Sequence, residues 1–132
     1  MTFRDIFTTS APKLNPCFAD GLDVDVTVED LTEAMQKLKR KAASSDGLPL
    51  EFYQTFWDLL SRPLLHVFGL SLRDGMLLAS EREGHIKLIC KNSQRSRELT
   101  AWRHVTLLNA NYKIWAKALQ LRLGRAMEVL LL

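Results

Sequence analysis

The sequence predicts a mainly helical α+β fold with one β-hairpin, and three observations carry that prediction. Apolar residues recur at helical spacing through three separate stretches. Two short β-prone runs, Ile86–Cys90 and His104–Leu108, stand between the second stretch and the third. The composition, 47% hydrophobic and 25% charged, is that of a packed globular domain rather than a disordered or low-complexity chain. With 132 residues, one domain of ordinary size is expected. Apolar runs such as Met76-Leu77-Leu78-Ala79 fall far below the roughly 18 residues that cross a bilayer, so no membrane partner is expected.

The elements follow in order. Residues 1–26 read as a loosely ordered leader, because Ala11-Pro12, Asn15-Pro16 and Asp20-Gly21 are turn signals without periodicity. Thr27 with Asp30 three residues on is capping-box-like and starts a helix through Val28, Leu31, Met35 and Leu38. Lys37, Lys39, Arg40 and Lys41 crowd the C-terminal end of that helix, where its dipole favours cations, and predict an end near Ala42. Ser44 to Pro49 is a turn in which Gly47 can take positive φ and Pro49 can open the next helix. Phe52, Tyr53, Phe56, Trp57 and Leu60 form a wide aromatic stripe that belongs in the core. Pro63 then restarts or kinks the chain into a run closed by Asp74-Gly75, as two helices or one bent helix.

After the hairpin, with its basic tip Lys91–Arg103, Asn109 or Asn111 caps a long helix. Tyr112, Trp115, Leu119, Leu123, Ala126 and Leu130 form one apolar stripe on it, expected to pack on the Phe52–Trp57 helix. Ile114, Ala118 and Leu121 form another, expected to stay uncovered and to promote self-association.

Charge is distributed unevenly. From Met1 to Gln36 seven acids oppose two bases, a net −5; from Arg82 to Arg125 ten bases oppose two acids, a net +8. Clustered cations release counterions from a bound polyanion, so RNA or single-stranded DNA is the expected partner class, against the plainer reading of a solvated basic face. Sites of other kinds are poorly supported. Walker-type, dinucleotide-binding and HExxH motifs are absent. His66, His85 and His104 stand singly, and Cys90 at the end of an apolar run reads as an inert thiol. Two distant cysteines, Cys17 and Cys90, together with no signal-peptide pattern at Met1–Asp20, suggest an intracellular setting, cytoplasmic or nuclear.

Five blocks in a fixed order resemble a known family. They are Lys41-Ala42-Ala43-Ser44-Ser45-Asp46-Gly47 running into Glu51-Phe52-Tyr53, then Phe56 to Leu60, Ile86 to Lys91, Trp102 to Asn109, and Tyr112-Lys113 with Ala116-Lys117. Together they are similar to the amino-terminal fingers region of LINE-type, non-LTR retrotransposon reverse transcriptases. There the corresponding blocks read K-x-P-G-P-D-G, E-F-Y, I-P-K, W-R-P-I-S-L-L-N and Y-K-x-x-A-K. The resemblance spans roughly residues 27–130 and implies a partial fingers domain over 27–132, the parent activity being RNA-directed DNA synthesis.

The resemblance also implies roles. Arg103 matches the Arg of W-R-P-I, which meets the triphosphate of the incoming nucleotide, a role suited to a planar guanidinium fork. Lys91 matches the Lys of I-P-K, and Lys87 stands beside it as a second nucleotide or template contact. Arg95, Arg97 and Lys41 are candidates for the nucleic-acid backbone. This sequence departs from the pattern where P-G-P becomes Ala43-Ser44-Ser45, and where two family prolines become Cys90 and His104, each losing a preset or permissive backbone.

The carboxylates that hold two magnesium ions in the full-length family enzyme stand on an F-x-D strand and an A-D-D turn of the palm, beyond the Y-K-x-x-A-K helix. The expectation is therefore a palm-less fragment that binds no cofactor and does not polymerise alone. Its alternatives are a basic nucleic-acid-binding or protein-interaction module and a decayed coding remnant.

Overall fold

A computed structural model describes residues 24–39, 43 and 45–130. The elements are α1 (Val28–Lys37), α2 (Leu50–Thr55), α3 (Trp57–Asp74), β1 (Gly84–Cys90), β2 (Trp102–Leu108) and α4 (Ala110–Leu130), with short 3-10 turns at Ala79–Glu81, Ser93–Arg95 and Leu99–Ala101. The fold is mainly α with one antiparallel hairpin, as the periodicities predicted. The chain divides into two compact units, Val26–Ala118 and a second that includes, among the described residues, Val24, Asp25 and residues 119–130. The leader expected over 1–26 lies outside the described residues up to position 23.

In the first unit α1 begins on the expected capping box. The Thr27 amide donates to the Asp30 carboxylate at 3.0 Å while the Asp30 amide donates to the Thr27 hydroxyl at 3.3 Å, so two orphan donors are satisfied at once. The helix ends at Lys37, short of the predicted Ala42, because Leu38 turns extended and its own amide closes the last turn onto Ala34 and Met35. Gly47 takes φ +68° in the turn that follows, and Gly75 takes φ +65° to close α3.

The break in the aromatic stretch falls at Phe56 (φ −106°, ψ 22°), and Pro63 lies inside α3. A proline there removes one bond to the carbonyl four residues back, that of Leu59. Leu59 is 74% exposed, so water can replace the lost donor and the helix continues.

The core draws Leu31, Ala34 and Met35 from α1, Tyr53 from α2, Trp57 and Phe68 from α3, and Ile114, Trp115 and Ala118 from α4. Trp57 donates its indole N–H to the Thr32 hydroxyl at 2.9 Å, tying α3 to α1. Phe68 and Trp115 stack with centroids 4.7 Å apart and planes 16° from parallel. Trp115 therefore packs on Phe68 of α3.

The expectation for the second stripe of α4 is reversed. Ile114 and Ala118, predicted to be uncovered, are buried, and Leu121 is half-buried. In the second unit Leu119, Leu123 and Met127 are exposed at successive turns while Ala126 is buried, and the Arg122 guanidinium donates to the carbonyls of Val24 and Asp25.

Candidate nucleic-acid interface

Register decides which side chains of the hairpin share a face. Lys87 pairs with Val105, Ile89 with Arg103 and Cys90 with Trp102. Side chains alternate along a strand, so His85, Lys87 and Ile89 lie on the same face as Arg103, Val105 and Leu107. Lys91 extends the ladder by one step, its amide donating to the Ala101 carbonyl at 2.7 Å, and keeps the same phase. Lys87, Lys91 and Arg103 thus stand together on one exposed face, with Lys87 and Arg103 as diagonal cross-strand neighbours. The opposite face carries Ile86, Leu88, His104 and Trp102; Ile86 is 69% and Leu88 65% exposed.

The tip is built by local bonds rather than burial. The Trp102 indole donates to the Ser96 carbonyl at 2.8 Å, the Cys90 thiol to the Asn92 carbonyl at 3.1 Å, and the Gln94 amide to the Asn92 side-chain oxygen at 3.0 Å. Arg95 is engaged within the tip, its Nε donating to both carboxylate oxygens of Glu98 at 3.1 and 3.0 Å. That ion pair lowers the Glu98 pKa and raises that of Arg95. Arg97 is exposed on the same tip. Lys41 lies outside the described residues.

A polar cluster sits at the foot of the hairpin, and Glu81 within it stands in no sequence motif. Asn109, buried between β2 and α4, donates from Nδ2 to the Ser80 carbonyl at 2.8 Å and accepts the Ser45 hydroxyl at 3.2 Å. Glu81, 3% exposed, accepts the Leu78 amide at 3.3 Å and the Asn111 side-chain amide at 3.4 Å. Burial raises its pKa, outweighing the opposite effect of the Leu78 bond. Asn109, at the end of the W-R block, is the one legible signal of this junction.

Among the described residues, no group of three or more His, Cys, Asp and Glu side chains could hold a metal ion. No helix among them is long and apolar enough to cross a membrane.

A scan against protein-family models finds no match. The sequence is similar to that of a transposon-encoded protein, which supports a transposon origin. That relative, the transposon TX1 uncharacterized 149 kDa protein of Xenopus laevis, is 36% identical over 105 residues. The match covers 79% of this chain and 8% of the relative's length.

Proposed function

We propose that this chain is the fingers portion of a LINE-type reverse transcriptase and that its hairpin holds the phosphates of nucleic acid and incoming nucleotide. One observation carries the reading: Lys91 and Arg103, chosen by motif position, and Lys87, chosen as their neighbour on the strand, fall on one exposed hairpin face. The similarity to a transposon protein supports the same reading. Arg103 is the bidentate phosphate ligand, because its guanidinium presents paired donors, and the two lysines supply point charges beside it. Three cations on a two-stranded ribbon grip a backbone without selecting sequence, as phosphate contacts do.

The test is binding of a single-stranded RNA oligonucleotide across a salt series by fluorescence anisotropy. Weak, sequence-independent binding is expected. Lys87→Ala, Lys91→Ala and Arg103→Ala together lower the salt slope by about 2, since each phosphate no longer neutralised on a single strand subtracts roughly 0.7. Equal affinity and slope in the triple variant would remove the hairpin from the function.

A further inference from the structure

The hairpin is a two-stranded sheet, so each strand has a second edge, and the phase of the ladder decides what that edge presents. The Lys91 amide donates to the carbonyl of Ala101, the residue opposite it in register, which makes Ile89 with Arg103 and Lys87 with Val105 the hydrogen-bonded pairs. The backbone N–H and C=O groups of Ile86, Leu88 and Cys90 therefore point away from β2. Among the described residues no other strand pairs with this edge. β1 runs through it without a proline or a bulge, two of the devices that blunt an open edge. The outer edge of β2 is less suited, because Thr106 and Leu108 at its end line a cavity of about 460 Å³ together with Lys37, Lys39, Lys113 and Lys117 from helical segments.

We propose that the outer edge of β1 takes up an extended segment of a partner protein as a third strand, one in which acidic residues alternate with apolar ones. Side chains of an added strand continue the two faces of the sheet. On one face it meets Ile86 and Leu88, both exposed, and β-branched residues opposite them cover apolar surface. On the other face it meets Lys87 and Lys91, four residues apart, and acids at the same spacing stand beside both. Among the described residues no carboxylate forms an ion pair with either lysine. A second copy of this chain is a poorer occupant: pairing β1 with β1 through these outward groups doubles the cations on one face and supplies no carboxylate there. The inference is independent of the phosphate-binding role, which uses side chains of that face, whereas only a peptide can continue the backbone ladder.

The experiment titrates the full chain with the blocked peptide Thr-Glu-Val-Thr-Val-Glu-Val-Thr, whose valines fall opposite Cys90, Leu88 and Ile86 when its glutamates stand beside Lys91 and Lys87. Binding is read by NMR, with hydrogen exchange at the Ile86 and Leu88 amides. Saturable binding below millimolar concentration is expected, with exchange slowed at both amides. The same peptide methylated on its valine amides keeps every side chain but loses the ladder, and should bind at least about tenfold more weakly. A peptide with lysines for glutamates should be weakened as much, because like charges then stand opposite each other. Leu88→Pro removes an outward donor without touching a β1–β2 bond, so it should abolish peptide binding and leave single-stranded RNA binding unchanged. Equal affinity of the methylated or the lysine peptide would overturn the proposal, as would absence of binding at millimolar concentration. A wild-type dimer that Leu88→Pro dissociates would also overturn it, assigning the edge to a second copy. Should Leu88→Pro fail to fold, the comparison of peptides decides on the wild-type chain alone.

Discussion

The hairpin and the first turns of α4 are consecutive in the chain and opposite in physics. From Ala110 to Ala118 the helix sets Ile114, Trp115 and Ala118 into the core, where Trp115 stacks on Phe68. From Gly84 to Leu108 most of the hairpin is exposed, with Cys90, Val105, Leu107 and Leu108 half-buried and Ala101 buried, and it is held by its ladder, its tip bonds and the junction around Asn109 and Glu81. Stability therefore resides in the helices, and the cations that would meet phosphate stand on a ribbon whose side chains are largely free of packing duties. Substitution should separate the two properties.

The largest effect is expected from Phe68→Ala. Phe68 is fully buried, and deleting its ring removes both transfer energy and the stack with Trp115, a loss of about 3–5 kcal/mol. Ile86→Thr, on an exposed β-branched position of β1, should cost under about 0.5 kcal/mol. Urea unfolding of both variants measures the contrast. A destabilisation by Ile86→Thr equal to that by Phe68→Ala would show that the hairpin is part of the core.

This division is only partly legible in the sequence. The strands are, because β-branched alternation between turn signals has few other readings, and so is the start of α1, because Thr27 and Asp30 stand three apart. Which face of α4 is buried is not. Both its stripes are apolar, and a period of 3.6 residues identifies stripes without saying which one meets a partner. Tertiary packing buries Ile114 and Ala118 of one stripe and Trp115 and Ala126 of the other. The Phe56 break is hidden for a similar reason: Pro63 is the stronger local signal, but exposure at Leu59 makes it tolerable. The cationic face requires only strand alternation once the register is known. The pocket lined by Lys37, Lys39, Lys113 and Lys117 joins residues about 80 positions apart, a proximity no local pattern encodes.

The junction beneath the hairpin gives the next test. Burial raises the Glu81 pKa, so the folded state holds its proton to higher pH than the unfolded chain does. Over the interval from the ordinary glutamate value, about 4.3, up to the raised folded value, stability contributed by this residue falls as pH rises and then levels off. Melting temperatures of wild type and Glu81→Gln, followed from acid to neutral pH, should show the wild type losing ground to the variant across that interval. Parallel curves would mean that Glu81 is not desolvated.

A smaller effect is expected in the second unit. Leu119, Leu123 and Met127 present an exposed apolar stripe, with Leu123 55% exposed. We infer that self-association uses this stripe rather than the Ile114 face. Leu119→Glu with Leu123→Glu should then lower the sedimentation-derived mass at high protein concentration while leaving helix content unchanged. The same substitutions at Ile114 and Ala118 should unfold the protein, because both are buried. An unchanged mass in the first variant would remove the stripe from any association.

The smallest effect concerns the hairpin tip, where charge is partly spent internally. Glu98 holds the Arg95 guanidinium, so a potential phosphate ligand is occupied and its positive charge is offset. Glu98→Gln removes the offsetting charge and weakens the grip on Arg95, while both residues stay exposed and bear no core contacts. Folding stability should therefore hardly change. Single-stranded RNA affinity should rise, and the salt slope should steepen by up to about 0.7, one further phosphate neutralised. Arg95→Ala in the Glu98→Gln background should cancel the gain. A gain that survives Arg95→Ala would come from the tip's net charge alone, whereas no gain at all would place Arg95 outside the path of the strand and confine phosphate binding on the hairpin to Lys87, Lys91 and Arg103.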